Sequence, residues 1–165
     1  MSSKREQILA RVETLLINTN GVAGRVFRSR QQAFNRDEAP AIVIEPGRDM
    51  PRVVTMCHMD WTLDLLVAIY ARGVVPDREA DPIAVAVHNE LMGDRSLGGL
   101  VTDVVPGAVD PQFDRADFST VWLVCLYQVS YRTSITSIEA WSPGDVAPPA
   151  SYESAPLFWN EAFNS

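Results

Sequence analysis

The sequence is poor in the residues that build disulfides, metal centres and membrane spans. Of its 165 residues, only two are cysteine and two are histidine. Cys57 and Cys125 both lie inside apolar segments, so we expect reduced thiols in a cytosolic protein rather than a disulfide framework. No apolar run reaches the ~18 residues that a membrane helix needs, and no secretory apolar region follows the start, MSSKREQ. We therefore expect neither a membrane partner nor a signal peptide.

Catalytic signatures are equally scarce. Cys57-His58-Met59-Asp60 places a His-x-Asp at a strand end, which is similar to one metal-ligand pair of the zinc peptidases that hydrolyse amino-acid amides. That chemistry also needs bridging carboxylates, a catalytic Glu and a further His. The only other histidine is His88, and no Glu-Glu pair exists. A small metal-dependent hydrolase using His58 and Asp60 is therefore the less favoured alternative.

A phosphate-binding loop is not indicated either. Gly98-Gly99 lacks the Lys-Ser/Thr of a P-loop and runs from a predicted helix to a predicted strand, which is the reverse order. These glycines are better interpreted as turn residues. No catalytic residue, no metal and no cofactor is predicted.

Charge is unevenly distributed along the chain. The net charge is −7, yet residues 1–52 hold nine Lys/Arg against six Asp/Glu, residues 53–133 hold five against eleven, and residues 134–165 hold none against four. An acidic chain is not a general nucleic-acid binder, because neutralising phosphates requires clustered cations. This uneven distribution of charge predicts a molecule whose ends face different partners, although a solvated surface explains it equally well.

One basic cluster stands out, formed by Arg25, Arg28, Arg30 and Arg36. It could contact DNA phosphates or an acidic surface on a neighbouring subunit. Because residues 53–133 contain eleven acidic residues, we favour a subunit interface.

Hydrophobic periodicity predicts two main helices. The first runs from Ser3 to Leu16, with Ser3 and Glu6 fitting a capping box. The second follows Asp81 as N-cap and Pro82 as the first helical residue, and it ends at Gly93. Its apolar stripe needs a sheet to pack on.

Alternation and β-branched content predict strands between these helices. Val121–Arg132 is the most strand-like run and is expected to be central. One turn of helix is expected over 31–34, a turn at Pro46-Gly47, and loops over 73–79 and 106–117. The other predicted strands are Val22–Arg30, Ala41–Glu45, Val53–Met59, Trp61–Arg72 and a strand restarting at Val101.

The chain changes character near its C-terminus. Residues 142–165 contain no Lys or Arg and four prolines, which resist regular structure. We divide the chain into a domain over 1–140 and an extended, proline-rich arm over 141–165. The arm is expected to dock on a neighbour through its aromatic end, or alternatively to fold back on its own domain. The docking candidates are Tyr152, Leu157, Phe158, Trp159 and Phe163.

The order of these elements resembles the tail terminator (tail completion, or minor tail) proteins of long-tailed bacteriophages. The similarity spans roughly residues 4–133, and the arm lies outside it. It implies an α+β domain with a mainly antiparallel sheet and two helices on one face. The segments that carry the resemblance are Arg5–Leu16, Pro40–Glu45, Trp61–Tyr70, Ala80-Asp81, Leu91–Val101 and Tyr127–Tyr131.

The resemblance also implies a virion structural role without catalytic residues. Six copies would form a homo-hexameric ring at the head-proximal end of the tail, assembled in the host cytoplasm. The ring would stop polymerisation of the major tail tube protein, offer a surface to the head–tail connector or stopper protein, and contact the tape measure protein. DNA would pass through the lumen without specific binding. Another neck component, a stopper or a head–tail adaptor, is the nearest alternative.

Overall fold

A computed structural model describes residues 2–138. The arm predicted over 141–165, with all five of its docking candidates, lies outside the described residues. The described chain forms two helices, α1 (Lys4–Leu16) and α2 (Pro76–Gly93), and one short 3₁₀ turn, Arg36–Glu38. Its five strands are β1 (Val26–Arg28), β2 (Ala41–Val53), β3 (His58–Arg72), β4 (Asp103–Phe113) and β5 (Thr120–Ser134).

All five strands join one sheet, in the order β1-β2-β3-β5-β4. β1 runs parallel to β2, and every other pair is antiparallel. Strand β3 pairs with β5 along its whole length, from His58 opposite Ser134 to Arg72 opposite Thr120. The prediction of an α+β domain with a mainly antiparallel sheet is confirmed.

Both helices pack on the same face of this sheet, which we call the helix face. Helix α1 lies against β1 and β2, whereas α2 lies over β3 and β5. Alternate residues of the strands point at the helices, and the opposite set forms what we call the outer face. The core between helices and sheet includes Ile8, Val12, Leu65, Ile69, Val87 and Leu91, all of which are buried.

Helix α1 begins at its predicted N-cap, Ser3, although the Glu6 carboxylate of the predicted capping box pairs with Arg28. Ser3 is extended, and its side-chain oxygen accepts a hydrogen bond from the backbone N–H of Glu6 at 3.1 Å. We expect Ser3→Ala to lower the free energy of unfolding by about 1 kcal/mol, because one N–H of the first turn loses its partner. Urea unfolding checks this value, and Ser3→Asp should retain most of the stability because aspartate also caps.

Helix α2 begins earlier than predicted. Asp81 is not its N-cap and Pro82 is not its first residue, because the helix starts at Pro76 and contains Pro82. The buried residues Pro76 and Ala80 extend the apolar stripe N-terminally at helical spacing. Pro82 removes one helical N–H, but it lies on the exposed side, where water can reach the carbonyl it leaves free.

The prediction of a turn at Pro46-Gly47 is also wrong. Strand β2 continues through both residues with a bulge, since Pro46 lies opposite Leu65 while Asp49 lies opposite Leu63. The chain reverses later, where the Val54 N–H donates to the carbonyl of His58 at 3.1 Å. The strand predicted over 53–59 is therefore divided, since residues 54–57 form the turn of the β2–β3 hairpin and its two ends belong to β2 and β3.

The polar loop predicted over 106–117 is likewise mostly strand. Residues 106–113 belong to β4 and pair with β5, again across a bulge, between Pro106 and Val109. Tertiary pairing with a strongly strand-forming neighbour overrides the weak local preference of glycine and proline. Within the strand predicted over Val22–Arg30 only Val26–Arg28 is strand, and the helical turn expected over 31–34 occurs instead as the 3₁₀ turn at Arg36–Glu38.

Candidate interaction surfaces

The two outermost strands give the domain two different flanks. One flank carries β1 and the segment after it, and the other carries β4. The predicted basic cluster belongs to the first flank, because Arg25, Arg28, Arg30 and Arg36 lie in or beside β1 and its following segment.

Two arginines of this cluster are engaged within their own subunit. The Arg25 Nε–H donates to the carbonyl of Pro40 at 2.9 Å. Arg28 forms a bidentate ion pair with Glu6 of α1, and the distance from Arg28 Nη2 to Glu6 Oε2 is 2.6 Å. The hydrogen bond from Arg28 holds the pKa of Glu6 below its usual value. Arg28 therefore ties the edge strand to the first turn of α1.

Arg30 has an internal structural role. Its guanidinium donates to both carboxylate oxygens of Glu38, at 2.9 and 3.0 Å. It also lies over the rings of Phe27 and Phe34, at 4.5 and 4.2 Å from their centroids. Phe34 stacks on Tyr70 of the outer face, with ring centroids 4.9 Å apart. Arg30 thus holds the 29–40 segment against the outer face.

Arg36 differs from the other three arginines. It is exposed at the start of the 3₁₀ turn, and among residues 2–138 it forms no ion pair. Its charge is therefore available to a partner. The role of all four arginines at a subunit interface stays a prediction, and Arg36 is the member best placed to fulfil it.

The opposite flank is acidic. Helix α2 exposes four carboxylates to solvent, Asp94 directly after it exposes a fifth, and β4 exposes one more. Asp94 at the end of α2 accepts hydrogen bonds from Ser96 and from the Gly98 backbone, which hold its pKa low, so it also fixes the glycine turn. The exposed acidic residues of this flank are Asp77, Glu79, Asp81, Glu90, Asp94 and Asp110.

The sheet also has two dissimilar ends, each formed by a hairpin turn. The β4–β5 turn lies beside the Arg72–Thr120 pair, and the β2–β3 turn lies beside the His58–Ser134 pair at the other end. Phe118 at the first turn is 79% exposed, and Met50 near the second is 56% exposed. Other exposed apolar side chains flank them: Val74 and Phe113 at the first end, Val54 and Met56 at the second.

A cleft of about 450 Å³ opens near the second end. On its outer-face side, Thr62 and Ser130 lie opposite each other, with Asp60 and Arg132 as the next cross-strand pair. Arg132 donates to both oxygens of Asp60, at 2.6 and 3.0 Å. These hydrogen bonds, together with the charges of Arg132 and Arg52, keep the pKa of Asp60 below its usual value. The short side chains thus form a shallow polar floor beside a cationic rim.

His58 and Asp60, the residues of the hydrolase alternative, both hydrogen-bond to neighbouring side chains. The His58 ring hydrogen-bonds the Thr55 hydroxyl at 3.2 Å, while Asp60 is held by Arg132. Within residues 2–138, no group of three or more His, Cys, Asp or Glu side chains is arranged to hold a metal ion. Neither helix among residues 2–138 has the length and apolarity that crossing a membrane requires.

Sequence reasoning missed both hairpin ends and the cleft. Thr62 and Ser130 are far apart in sequence and meet only through the β3–β5 register. Met50 and Met56 are the one local signal for the β2–β3 end, because both methionines are exposed there although methionine is an apolar residue.

Comparison with known proteins gives a fold relationship. No protein-family model and no curated protein matches the chain. Among solved structures, the chain is similar to one from the virion of a native gene transfer agent particle, with a TM-score of 0.57 and 12% sequence identity. The match covers 76% of this chain and 95% of the other. The two chains therefore share a fold.

Proposed function

We propose that this protein is a structural component of a phage-like virion, a tail terminator that forms a ring at the head-proximal end of the tail. The opposite charges of its two flanks are the main support for this proposal. A closed ring uses heterologous contacts, in which one flank of each copy meets the other flank of the next copy. Here the basic β1 flank exposes Arg36, while the acidic flank exposes the carboxylates of α2 and β4.

The two ends of the sheet suit a ring that separates different partners. In our proposal the hairpin ends face along the ring axis, one toward the tail tube protein and the other toward the head connector. Their exposed side chains differ in chemistry, aromatic at the β4–β5 turn and methionine-rich near the β2–β3 turn. The shared fold with a chain of a gene transfer agent virion agrees with such a role.

The exposed backbone edges of β2 and β4 favour contacts between copies that are made by side chains alone. The Val54 N–H faces β3, so by antiparallel alternation Pro51 presents its backbone outward on the β2 edge. The Asp114 N–H donates to the Thr120 carbonyl and so faces β5. By the same alternation, the backbone of Pro111 faces outward on the β4 edge. Each proline removes a donor from its edge, which discourages indefinite strand-to-strand polymerisation. Complementary side chains then decide the contact.

Charge reversal tests the proposed ring. We expect Arg36→Glu and Asp110→Lys each to weaken assembly, with a cost of about 0.2–1 kcal/mol at every subunit contact. Because this cost recurs at each contact of a closed ring, the ring should dissociate at concentrations where the parent protein stays assembled. Native mass spectrometry at low ionic strength measures the ring mass, and 0.5 M salt should have a similar weakening effect on the parent.

The control is Arg115→Glu, a reversal of an exposed charge at the β4–β5 turn. It should leave the ring mass unchanged, since this position lies at an end of the sheet and not on a flank. A parent protein that stays monomeric at all concentrations would contradict the proposed function. Imaging of assembled particles would then separate a terminator, which caps the tube, from a stopper or adaptor.

A further inference from the structure

We propose that the cleft at the β2–β3 end receives the acidic, aromatic C-terminal arm of a neighbouring copy. We define this docking surface by Met50 and Arg52 of β2 together with Thr62 and Ser130. Cross-strand pairing places all four on the outer face, with Met50 opposite Thr62 and Arg52 opposite Asp60. The inference rests on the proposed function, because docking between copies requires an assembly.

The chemistry of the surface matches the arm. Residues 139–165 contain four carboxylates and no Lys or Arg, and their last stretch reads LFWNEAF over 157–163. Arg52 is exposed, and among residues 2–138 it forms no ion pair. A guanidinium attracts both a carboxylate and the face of an aromatic ring, and a methionine thioether also contacts aromatic rings favourably. Trp159 with Glu161 supplies the ring and the carboxylate.

The path of the chain favours a neighbour over the same subunit. After β5, the Ile135 N–H donates to the Cys57 carbonyl, and the Ile138 carbonyl then accepts from the Lys4 N–H at 3.0 Å. The described chain therefore ends at the first turn of α1, on the helix face. The docking surface lies on the outer face, so an arm that docked on its own subunit would have to pass around the sheet.

The spacer is long enough to reach another copy. Eighteen residues, 139–156, separate Ile138 from the aromatic stretch. Extended chain spans about 3.3 Å per residue, so this spacer covers up to about 60 Å. Four of its residues, at 143, 148, 149 and 156, are prolines, and a proline has less conformational entropy to lose on docking than other residues.

Disulfide trapping between chains that each carry one accessible cysteine tests the proposal. In the full-length chain with Cys57→Ser, one preparation carries Met50→Cys and a second carries Asn160→Cys. Cys125 can remain, since burial raises the pKa of its thiol and makes it a poor nucleophile. After mixing and mild oxidation, we expect a covalent dimer whose 50–160 disulfide is identified by peptide mass spectrometry. Adding Arg52→Ala should lower its yield about tenfold, the effect of losing one cation–π contact and one ion pair.

The control replaces Met50→Cys by Gln112→Cys, an exposed position near the opposite end of the sheet. Its cross-linking sets the background from random collisions. A 50–160 yield no higher than this background would overturn the inference. A single chain carrying both Met50→Cys and Asn160→Cys should give a covalent ladder of oligomers, and a purely intrachain disulfide would assign the cleft to the chain's own arm instead.

The native mass of the Cys57→Ser parent, measured before oxidation, separates the two proposals. A ring without 50–160 cross-linking refutes arm docking and leaves the terminator proposal standing. A monomeric parent refutes the ring, and with it docking between copies.

Discussion

Arg30→Ala is expected to lower the free energy of unfolding by about 2–3 kcal/mol, although arginine is normally a surface residue. The side chain is only 15% exposed, and it combines two hydrogen bonds to Glu38 with contacts to two aromatic rings. Truncation to alanine removes these contacts together and leaves a gap beneath the 29–40 segment. For a domain of this size, the melting temperature should fall by about 5–10 °C.

The expected loss extends beyond one side chain because Arg30 adjoins an aromatic cluster. Phe34 contacts Phe27, Tyr70 and Trp122, with ring centroids 5.5, 4.9 and 5.6 Å away. This cluster covers the end of the outer face near β1. Without Arg30, the 29–40 segment keeps the contacts between the Phe34 ring and its three neighbouring rings, but it loses the ion pair with Glu38. Its amide protons should therefore exchange faster with solvent.

Arg36→Ala is the matched control. The residue has the same side chain, lies six positions later and is exposed without an ion pair among residues 2–138. Its removal should change the free energy of unfolding by less than about 0.5 kcal/mol. Thermal and urea unfolding of both variants decide the matter. Equal effects of the two substitutions would show that the Arg30 contacts contribute no net stability.

This contrast marks what the sequence could and could not predict. A cluster of four arginines within twelve residues is visible without a structure, and it indicates a basic flank. The individual roles depend on partners distant in sequence, such as Glu6 for Arg28, or on a short-range fold such as the 3₁₀ turn that brings Glu38 back to Arg30. Neither of these ion pairs produces a periodic pattern in the sequence that would predict it.

Elements with strong local signals were predicted well. Helix α1 has a cap and a regular stripe, and β5 has an unbroken β-branched and aromatic run, so local preference and tertiary pairing agree. Strand β4 is the opposite case. Its residues 106–113, PGAVDPQF, read as a loop, and only the exposed edge position beside β5 makes proline and glycine tolerable there.

The docking surface was even less accessible to sequence reasoning. Its residues come from three strands, and their meeting depends on the bulge in β2. Before the bulge Ile44 faces the helices, and beyond it Met50 and Arg52 face outward because the register with β3 has shifted. A one-residue error in register exchanges the two faces, so no count of alternating residues predicts which side chains line the cleft.

Gly47→Ala tests whether this bulge sets the geometry of the docking surface. A Cβ on Gly47 would lie 2.9 Å from Leu66 Cδ1, 3.0 Å from the Asp64 carbonyl oxygen and 3.1 Å from Asp64 Cβ. The leucine methyl can rotate away, but the carbonyl belongs to the β3 backbone and cannot yield without moving the strand. We expect a loss of about 1–3 kcal/mol in the free energy of unfolding, the usual range for overpacking.

Gly93→Ala provides the matched control for this substitution. Gly93 is the last residue of α2, and a Cβ there meets nothing within 4 Å. Alanine is favoured over glycine in helices, so this variant should be neutral or up to about 1 kcal/mol more stable. The same exchange of glycine for alanine thus has opposite expected signs at the two positions, which removes side-chain identity as the cause.

The bulge also connects stability to assembly. If Gly47 fixes the outward direction of Met50 and Arg52, Gly47→Ala should reduce 50–160 disulfide trapping at temperatures where the variant is still fully folded. Gly93→Ala should leave trapping unchanged. Normal trapping in a destabilised Gly47→Ala protein would mean that the outer-face position of Met50 and Arg52 survives distortion of the bulge, and that the rest of the β2–β3 pairing is sufficient to present the cleft.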